Sequence, residues 1–330
     1  MSRNLARTLA DGPLTRFQLT AIAVCIGLNM LDGFDILAMS FAASGVKADW
    51  HLLDSQLGAL LSAGLVGMGL GSLALGPCAD RWGRRNIVLL SVALAGVGML
   101  GAAAAQGFYD LLALRVLTGL GIGGTIASVA VVVSEYAPDR WRRTALGAYA
   151  TGYSIGATVG GALTAYAIPH YGWRSAFVIG GTMSLLLLPV AWRKLPESLD
   201  FLLTRRPAAA LQRVNALLEA MRQPAVAALP ERSVAHAAAA PVRTQLGLLM
   251  TPSTLLVWAA FFCTMAGFYF IVSWTPRLLH AAGLSASQGL TGGVLLNLGG
   301  IAGCALYAAA AVRIDAHRLL LGALVGILGP

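Results

Sequence analysis

Long apolar stretches, joined mostly by short polar connections, constrain the fold of this chain more than any other feature. A helix needs about 20 mostly apolar residues to cross the hydrocarbon core of a bilayer. Only 11% of the 330 residues are charged, whereas a soluble domain carries about 25%. We therefore predict an all-α polytopic membrane protein, which excludes a disordered chain, a secreted disulfide scaffold and an ordinary cytosolic enzyme. The predicted spans are residues 18–42, 55–76, 86–105, 109–134, 144–168, 173–193, 253–276 and 287–312.

One long hydrophilic segment, from Arg193 to Thr251, separates the first six spans from the last two. Within it, Ala208 to Arg222 has apolar residues at helical spacing, which predicts a short amphipathic helix at the membrane surface. The final apolar stretch, residues 319–330, is too short to cross a bilayer, so it predicts only the start of a ninth span. The predicted domains are an N-terminal six-helix bundle (1–195), a cytoplasmic central loop (196–252) and a partial C-terminal bundle (253–330).

The basic residues are distributed very unevenly between the two sides of the predicted membrane. Nineteen of the 23 Lys and Arg residues fall on the side of the N-terminus and the central loop, and three fall on the other side. Cytoplasmic loops are enriched in Lys and Arg, so we expect the N-terminus and the central loop to be cytoplasmic and the protein to lie in the plasma (inner) membrane. The net charge of +9 is then explained by basic residues in the cytoplasmic loops of a protein embedded in the lipid bilayer. We expect no nucleic-acid partner.

Three charged residues lie away from the ends of predicted spans, where charge is costly and often functional. Asp32 and Asp35 occur in the first span, and their i, i+3 spacing predicts that both carboxyl groups share one helical face. Arg115 lies in the fourth span. The aspartates are either a functional pair or part of a structural ion pair or packing contact. Arg115 is either a structural partner of one aspartate or a residue that acts on substrate or protons.

The connection between the second and third spans is unusually patterned for a short basic loop. It combines one carboxylate with three arginines and two glycines in ten residues, which favours a latch of charge-assisted hydrogen bonds over a purely topological role. Glu135, at the end of the fourth span, is predicted to reach Arg84 and Arg85 as a gate contact. The predicted gating residues are Gly76, Asp80, Arg81, Gly83, Arg84, Arg85 and Glu135.

These motifs resemble those of the major facilitator superfamily. The connection from Gly76 to Arg85 matches the superfamily's loop 2–3 motif, and the run from Arg115 to Gly123 is similar to its second motif. Within the superfamily, the segments Asp32–Asp35, Leu195–Leu202 and Ser273–Leu279 resemble the aromatic acid:proton symporters. The resemblance implies two six-helix bundles with the substrate held between them. Because such proteins have twelve helices, we expect a C-terminally truncated member whose first bundle is complete and whose second is incomplete.

The resemblance implies proton-coupled uptake of a small aromatic carboxylate such as benzoate or 4-hydroxybenzoate. Asp32 and Asp35 would carry the proton, and Arg115 would be the counter-charge for the carboxylate. Helix five has Gly156-Ala157 where the superfamily's antiporters have a Gly-Pro pair, which favours symport. Phe268 and Tyr269 are further aromatic candidates, and each aromatic residue has plain packing as its alternative role. The predicted substrate-binding residues are Arg115, Phe34, Tyr153, Trp274 and Asn297.

Two other functional classes remain alternatives at this point. One is transport of another organic anion or a sugar by the same fold, and the other is a membrane sensor without transport. The sequence contains neither the HExxH nor the GxSxG motif of hydrolases, so we expect no enzyme. The four cysteines show no CxxC spacing and no His partner, which indicates neither a zinc site nor a disulfide framework. We expect no metal and no cofactor. The connection from Val312 to Arg318 keeps charge but lacks the Asp-Arg-x-Gly-Arg order of its first-half counterpart.

Overall fold

A computed structural model describes residues 12–229 and 250–310, together with Gly322. All the regular elements in these ranges are α-helices. The residues between and beyond these ranges include Arg3, Arg7, Arg232, Arg243, Arg313 and Arg318, and the predicted start of a ninth span also lies outside the described residues. The helices are α1 (Arg16–Trp50), α2 (Asp54–Trp82), α3 (Arg84–Ala104), α4 (Phe108–Tyr136), α5 (Asp139–Tyr171), α6 (Arg174–Lys194), α7 (Leu199–Arg205), α8 (Ala210–Ala220), α9 (Pro252–Ala281) and α10 (Ala286–Ala310).

Each of the eight predicted spans coincides with a long helix. Among the described residues, six helices are long and apolar enough by length and composition to cross a membrane, namely α1, α2, α3, α4, α6 and α9. Helix α5 is 33 residues long and carries charged residues in its first turns, and α10 contains a shorter apolar stretch, Thr291–Gly303. The prediction of a multi-pass helical membrane protein is therefore supported, although two of the eight helices do not meet the criterion.

Helix α1 is longer than the sequence predicted, extending to Trp50 rather than ending near residue 42. Its N-terminus has a capping box: Thr15 N–H donates to Gln18 Oε1 at 2.9 Å, and Gln18 N–H donates to Thr15 Oγ1 at 3.3 Å. At the other end, Ala43 and Val46 are buried in the bundle, so packing continues the helix past the most apolar stretch. His51, in the left-handed conformation with φ 49°, ends it.

The predicted loop between the second and third spans is mostly helical, which corrects the sequence-based boundaries. Helix α2 continues through Pro77 to Trp82, and α3 begins at Arg84. Gly83 alone joins them, with φ 98°, a conformation that glycine adopts without the steric cost of a Cβ atom. The charged motif therefore occupies the two facing helix ends, where its side chains are held in fixed directions.

Helices α1 to α6 form a bundle in which glycines allow backbone contact. A Cβ atom at Gly67 of α2 would overlap the main-chain carbonyl of Val116 in α4. One at Gly156 of α5 would overlap the main-chain carbonyl of Met30 in α1. Small residues at such positions let membrane helices approach closely. The contacts also set the orientation of α1, which packs mainly against α5, α6 and α4.

The remaining helices pack on the outside of this bundle. The predicted amphipathic helix is present as α8, with Val214 and Leu218 buried in the same apolar cluster as Tyr136 of α4. Helix α10 packs on α5, and α9 contacts both α10 and α1. Ser40 Oγ of α1 donates to the main-chain carbonyl of Ser273 of α9 at 2.5 Å. The middle of α1 therefore lies between the bundle and α9.

Candidate functional site

Asp32 and Asp35 lie near the middle of α1 and are almost completely buried, with 5% and 1% of their surfaces exposed. Their neighbours differ. A Cβ atom at Gly180 of α6 would lie 2.9 Å from Asp35 Oδ1, so Asp35 faces into the six-helix bundle. The Asp32 carboxyl group is an electrostatic neighbour of the phenol groups of Tyr149, Tyr153 and Tyr269, so it lies towards α5 and α9. The two carboxyl groups are electrostatically coupled, but they do not share all their surroundings.

Arg115 lies inside the bundle, with 2% of its surface exposed. Its Nη1 donates to the main-chain carbonyl of Asp35 at 3.2 Å and lies 3.7 Å from Met99 Sδ. In the described part of the chain, no carboxylate oxygen lies within 4.0 Å of its guanidinium nitrogens, although Asp35 remains an electrostatic neighbour. The side chain therefore ties α4 to the backbone of α1 and holds a positive charge near Asp35.

Four side chains from three helices form a cluster beside Asp32, which we call the aromatic cluster: Met68 of α2, Tyr153 of α5, and Phe268 and Tyr269 of α9. The ring centroids of Tyr153 and Phe268 are 6.2 Å apart, and those of Phe268 and Tyr269 are 5.4 Å apart. Tyr269 Oη lies 3.9 Å from Met68 Sδ. Such an arrangement offers apolar and aromatic surface next to a carboxyl group, as small-molecule sites do.

The other predicted binding residues lie elsewhere. Phe34 is buried between α5 and α6, where its ring contacts Gly160 and Gly180. Trp274 stacks on Phe270, with ring centroids 6.1 Å apart. Asn297 is buried, and its Nδ2 donates to the Gly293 carbonyl of its own helix at 2.9 Å. The structure thus brings Asp32 together with Tyr153, and Asp35 together with Arg115, but it does not join all the predicted residues in one site.

Met68 was missed by the sequence analysis. It lies in a glycine-rich run of α2, and nothing in the sequence distinguishes a methionine that contacts a tyrosine of a distant helix from one that fills a gap in the core. Tyr269 was considered as an aromatic candidate but was not placed in the predicted site. Neither Glu197 nor Ser198 was assigned to the gating set, although both belong to the motif that follows α6.

The charged motif between α2 and α3 contacts the ends of α4 and α6. Arg84 Nη2 donates to Asp80 Oδ1 at 3.2 Å, and Arg84 Nε lies 4.0 Å from Glu135 Oε1. Glu135 accepts hydrogen bonds from Ser198 Oγ and from the main-chain N–H of Leu199, both at 2.9 Å. We call this set, together with Arg85 and Glu197, the α2–α3 clamp.

Arg85 anchors the second part of the clamp. Its main-chain N–H donates to Glu197 Oε1 at 3.1 Å, its Nε donates to the Leu195 carbonyl at 2.9 Å, and its Nη2 donates to the Trp192 carbonyl. Arg205 Nε of α7 donates to the Asp80 carbonyl at 2.9 Å. Two other predicted gating residues are less involved: Arg81 is exposed, and Gly76 faces Ala127 of α4. Charge-assisted bonds of this kind join the α2–α3 connection to the end of α4 and to the segment that follows α6, all at one end of the bundle.

A second polar network lies at the opposite end of the helices. Asp54, the first residue of α2, accepts from Lys47 Nζ of α1 at 2.6 Å and from Arg277 of α9. Asp49 accepts from Trp173 Nε1 at 2.7 Å. These contacts join α9 to α1 and α2 on the side that the charge distribution assigns to the exterior.

Comparison with known proteins identifies the family. Residues 23–329 match the Major Facilitator Superfamily. The chain belongs to the major facilitator superfamily. This confirms the resemblance that the motifs predicted, and the family and the fold are those of membrane transporters.

The curated relatives include several named aromatic acid transporters. The gallate transporter of Pseudomonas putida is 34% identical over 88% of this chain and 65% of its own length. The 4-hydroxybenzoate transporter PcaK of Pseudomonas putida is 33% identical over 93% of this chain and 69% of its own length. The benzoate transport protein of Acinetobacter baylyi is 28% identical over 98% and 72%. The chain thus spans about two thirds of the length of the relatives it matches.

Solved structures show the same fold. The xylose transporter XylE from E. coli, in a partially occluded inward-open conformation, superposes with a TM-score of 0.70 at 16% sequence identity, covering 91% of this chain and 74% of that chain. A bacterial homologue of the human lysosomal transporter Spinster gives a TM-score of 0.60 at 19% identity, covering 86% and 60%. At these identities the similarity concerns the fold and not the substrate.

Proposed function

We propose that this protein takes up a small aromatic carboxylate together with protons across the inner membrane, with its N-terminus and central loop in the cytoplasm. The observation that carries the proposal is the pair of buried carboxyl groups in the middle of α1, one of which adjoins the aromatic cluster. Ionisable groups buried at this depth are characteristic of proton relays in transporters. The names of the relatives, which include gallate, 4-hydroxybenzoate and benzoate transporters, support the substrate class.

In this proposal Asp32 and Asp35 are the proton carriers. Two carboxyl groups that are buried side by side cannot easily both be ionised, so one of them takes up a proton before the other. Arg115 is the fixed positive charge beside Asp35, to whose main chain it is bonded. Three further residues are predicted to bind the substrate: Phe34 of α1, Trp274 of α9 and Asn297 of α10. The six-helix bundle (1–195), the central loop (196–252) and the second bundle (253–330) are its proposed parts.

The α2–α3 clamp is the proposed cytoplasmic gate. Its bonds hold the connection between α2 and α3 against the ends of α4 and α6, so they lock the internal arrangement of the first bundle. Release of this connection requires that several charge-assisted bonds break together, of which the exposed Arg84–Asp80 pair contributes at most about 1 kcal/mol. A rocking motion of the two bundles about the central site would supply alternating access.

Uptake and competition measurements test the substrate class. The complete gene product is produced in a host that lacks aromatic acid uptake, and entry of labelled 4-hydroxybenzoate is measured at low external pH. We expect accumulation above the empty-vector level, competition by benzoate and gallate, no competition by xylose, and collapse of accumulation by a protonophore. Competition by xylose without competition by benzoate would instead support a sugar transporter.

A further inference from the structure

The aromatic cluster and Asp32 contain two buried polar atoms without partners. Asp32 Oδ2 and Tyr153 Oη have no hydrogen-bond partner among the described residues, and both atoms are buried. Most buried polar atoms in folded proteins are paired, because an unpaired one carries a desolvation cost that nothing offsets. A phenol donor and a carboxyl group that lie close together and remain unpaired are suited to bind a third group between them.

These residues lie at one depth in the bundle. Asp32 is next to the middle residue of α1, Met68 is the middle residue of α2, and Tyr153 is two residues from the middle of α5. Tyr269 is within three residues of the middle of α9. Arg115 lies seven residues from the middle of α4, a displacement of about 10 Å along the helix. The unpaired donor and carboxyl group therefore lie at the level where transporters of this architecture bind substrate. The long side chain of Arg115 extends from its more distant backbone position to the Asp35 carbonyl.

Arg115 also has a buried nitrogen, Nε, without a hydrogen-bond partner among the described residues, but its guanidinium group is held by contacts within the bundle. Its guanidinium group lies beneath Gly64 of α2 and is bonded to the backbone of α1. Asp32 and Tyr153, by contrast, border α9, which lies outside the six-helix bundle. The Tyr269 hydroxyl contacts only the thioether of Met68 among the described residues, and a thioether is a weak acceptor. Its proton is thus free to be donated to a stronger acceptor.

We propose that Tyr153, Tyr269 and the protonated Asp32 together bind the carboxylate of the substrate, while Met68 and Phe268 contact its ring. This inference rests on the proposed aromatic acid transport. Three donors then converge on one carboxylate: two phenol O–H groups and the O–H of the aspartic acid. When Asp32 loses its proton, a donor becomes a second negative charge next to the bound anion, and binding weakens.

The direction of coupling decides which end of the substrate these groups bind. If Asp32 accepted a hydrogen bond from a phenolic hydroxyl on the substrate ring, its ionised form would bind substrate and protons would compete with binding. If Asp32 donates to the carboxylate, proton and substrate bind together, and each increases the affinity of the other by the same factor. Symport requires the second arrangement.

The charged and titratable groups around Asp32 are few. They are Asp35 on α1, Tyr149 and Tyr153 on α5, and Tyr269 on α9, with Arg115 of α4 behind Asp35. Helices α2, α3 and α6 carry charged residues only in their end turns, and α10 carries none. Of these groups, Asp32 is the carboxyl group beside the aromatic cluster, and Asp35 acts on the bound carboxylate through its electrostatic coupling to Asp32.

Equilibrium binding to the purified complete gene product tests the assignment. Affinities for benzoate, 4-hydroxybenzoate and benzamide are measured from about pH 6 to about pH 8, where benzoate stays ionised. We expect Tyr153→Phe and Tyr269→Phe each to weaken the binding of both acids by about tenfold or more, because each loses a hydrogen bond to a charged group. Tyr166→Phe, an exposed position on the same helix as Tyr153, is the control and leaves both affinities unchanged. Benzamide, which lacks the carboxylate, does not compete.

The pH dependence separates this role from a structural one. We expect the affinity of the parent for benzoate to rise as pH falls, by up to about tenfold per pH unit. We expect the affinity of Asp32→Asn to change much less with pH, since the amide donates a hydrogen bond but does not titrate, and only the more distant Asp35 still does. Thermal unfolding shows whether each variant is folded.

Several results would overturn the inference. Weakening confined to 4-hydroxybenzoate in Tyr153→Phe and Tyr269→Phe would mean that these hydroxyls bind the ring hydroxyl, and unchanged affinities in folded variants would mean that they bind neither group. An Asp32→Asn variant whose affinity depends on pH as steeply as that of the parent would place the titrating group elsewhere. A parent protein that binds no aromatic carboxylate at all would overturn the proposed function itself, a result distinct from the loss of binding in single variants.

Discussion

Asp32 and Asp35 lie three residues apart on α1, yet their carboxyl groups have different neighbours. Asp35 adjoins Gly180 and the positive charge of Arg115, whereas Asp32 adjoins the tyrosines of α5 and α9. We therefore expect substrate binding to affect the protonation of Asp32 directly, and packing inside the bundle, including the charge of Arg115, to affect that of Asp35. Their electrostatic coupling links the two.

Substitution of either aspartate tests the role of the pair. Asp32→Asn and Asp35→Asn keep the size of the side chain but remove its titration, so we expect each to abolish uphill accumulation while at least one retains substrate exchange or binding. The measurement compares accumulation under an imposed proton gradient with counterflow in the absence of a gradient. If both single variants concentrate substrate as the parent does, the pair is structural and another group carries the proton.

These charged residues were recognisable as candidates from the sequence, because charge within an apolar stretch is rare and costly. The sequence did not predict their partners. Phe34 lies between the two aspartates in sequence, but its ring fills the space at Gly160, since a single residue shift turns a helical side chain by about 100°. Which neighbouring helix a given face meets depends on the packing of the whole bundle, and so Met68, and the position of Tyr269 beside Asp32, became evident only from the structure.

Helix contacts in the bundle depend on glycines that leave no room for a side chain. At the connection of α2 and α3, the motif was recognisable from sequence, but its helical geometry was not, because Pro77 and the charged residues favoured an earlier end to α2. The α2–α3 clamp requires this geometry, since Arg84 and Arg85 reach Glu135 and Glu197 from a helix start that follows Gly83 directly.

Two glycines of α5 provide a matched test of helix packing. A Cβ atom at Gly156 would overlap the Met30 carbonyl of α1, whereas one at Gly147 would meet no atom within 4 Å. We expect Gly156→Ala to lower the free energy of unfolding by about 1–3 kcal/mol through overpacking, and Gly147→Ala to leave it unchanged or raise it by up to about 1 kcal/mol. Thermal unfolding in detergent measures both, and equal melting temperatures would show that α1 and α5 are not in backbone contact.

At the scale of the whole molecule, the proposed orientation rests on the uneven distribution of basic residues. His170 and Ala209 are both exposed and lie on opposite sides of the predicted membrane. In a variant whose native cysteines are replaced, we expect an impermeant thiol reagent applied to intact cells to label His170→Cys and not Ala209→Cys. The opposite labelling pattern would contradict the proposed topology.

The sequence predicted the helices and the family, but it did not predict which side chains of different helices contact one another at the site. Six apolar stretches followed by a hydrophilic segment predicted the first bundle, and the motifs predicted the family. The contacts of α9 with this bundle, through Ser273 and Arg277, join segments more than 200 residues apart. Nothing local in the sequence specifies such contacts, because they depend on how complete helices pack.

The coupling of protons to substrate is the central claim, and proton movement into proteoliposomes tests it most directly. An inward gradient of 4-hydroxybenzoate is imposed on vesicles that contain the complete gene product and a trapped pH indicator. We predict acidification of the lumen that is faster than in protein-free vesicles, which report passive entry of the acid, and that is lost in the Asp32→Asn, Asp35→Asn double variant. Substrate entry at the parent rate without acidification beyond that of the protein-free vesicles, or with alkalinisation, would contradict proton symport.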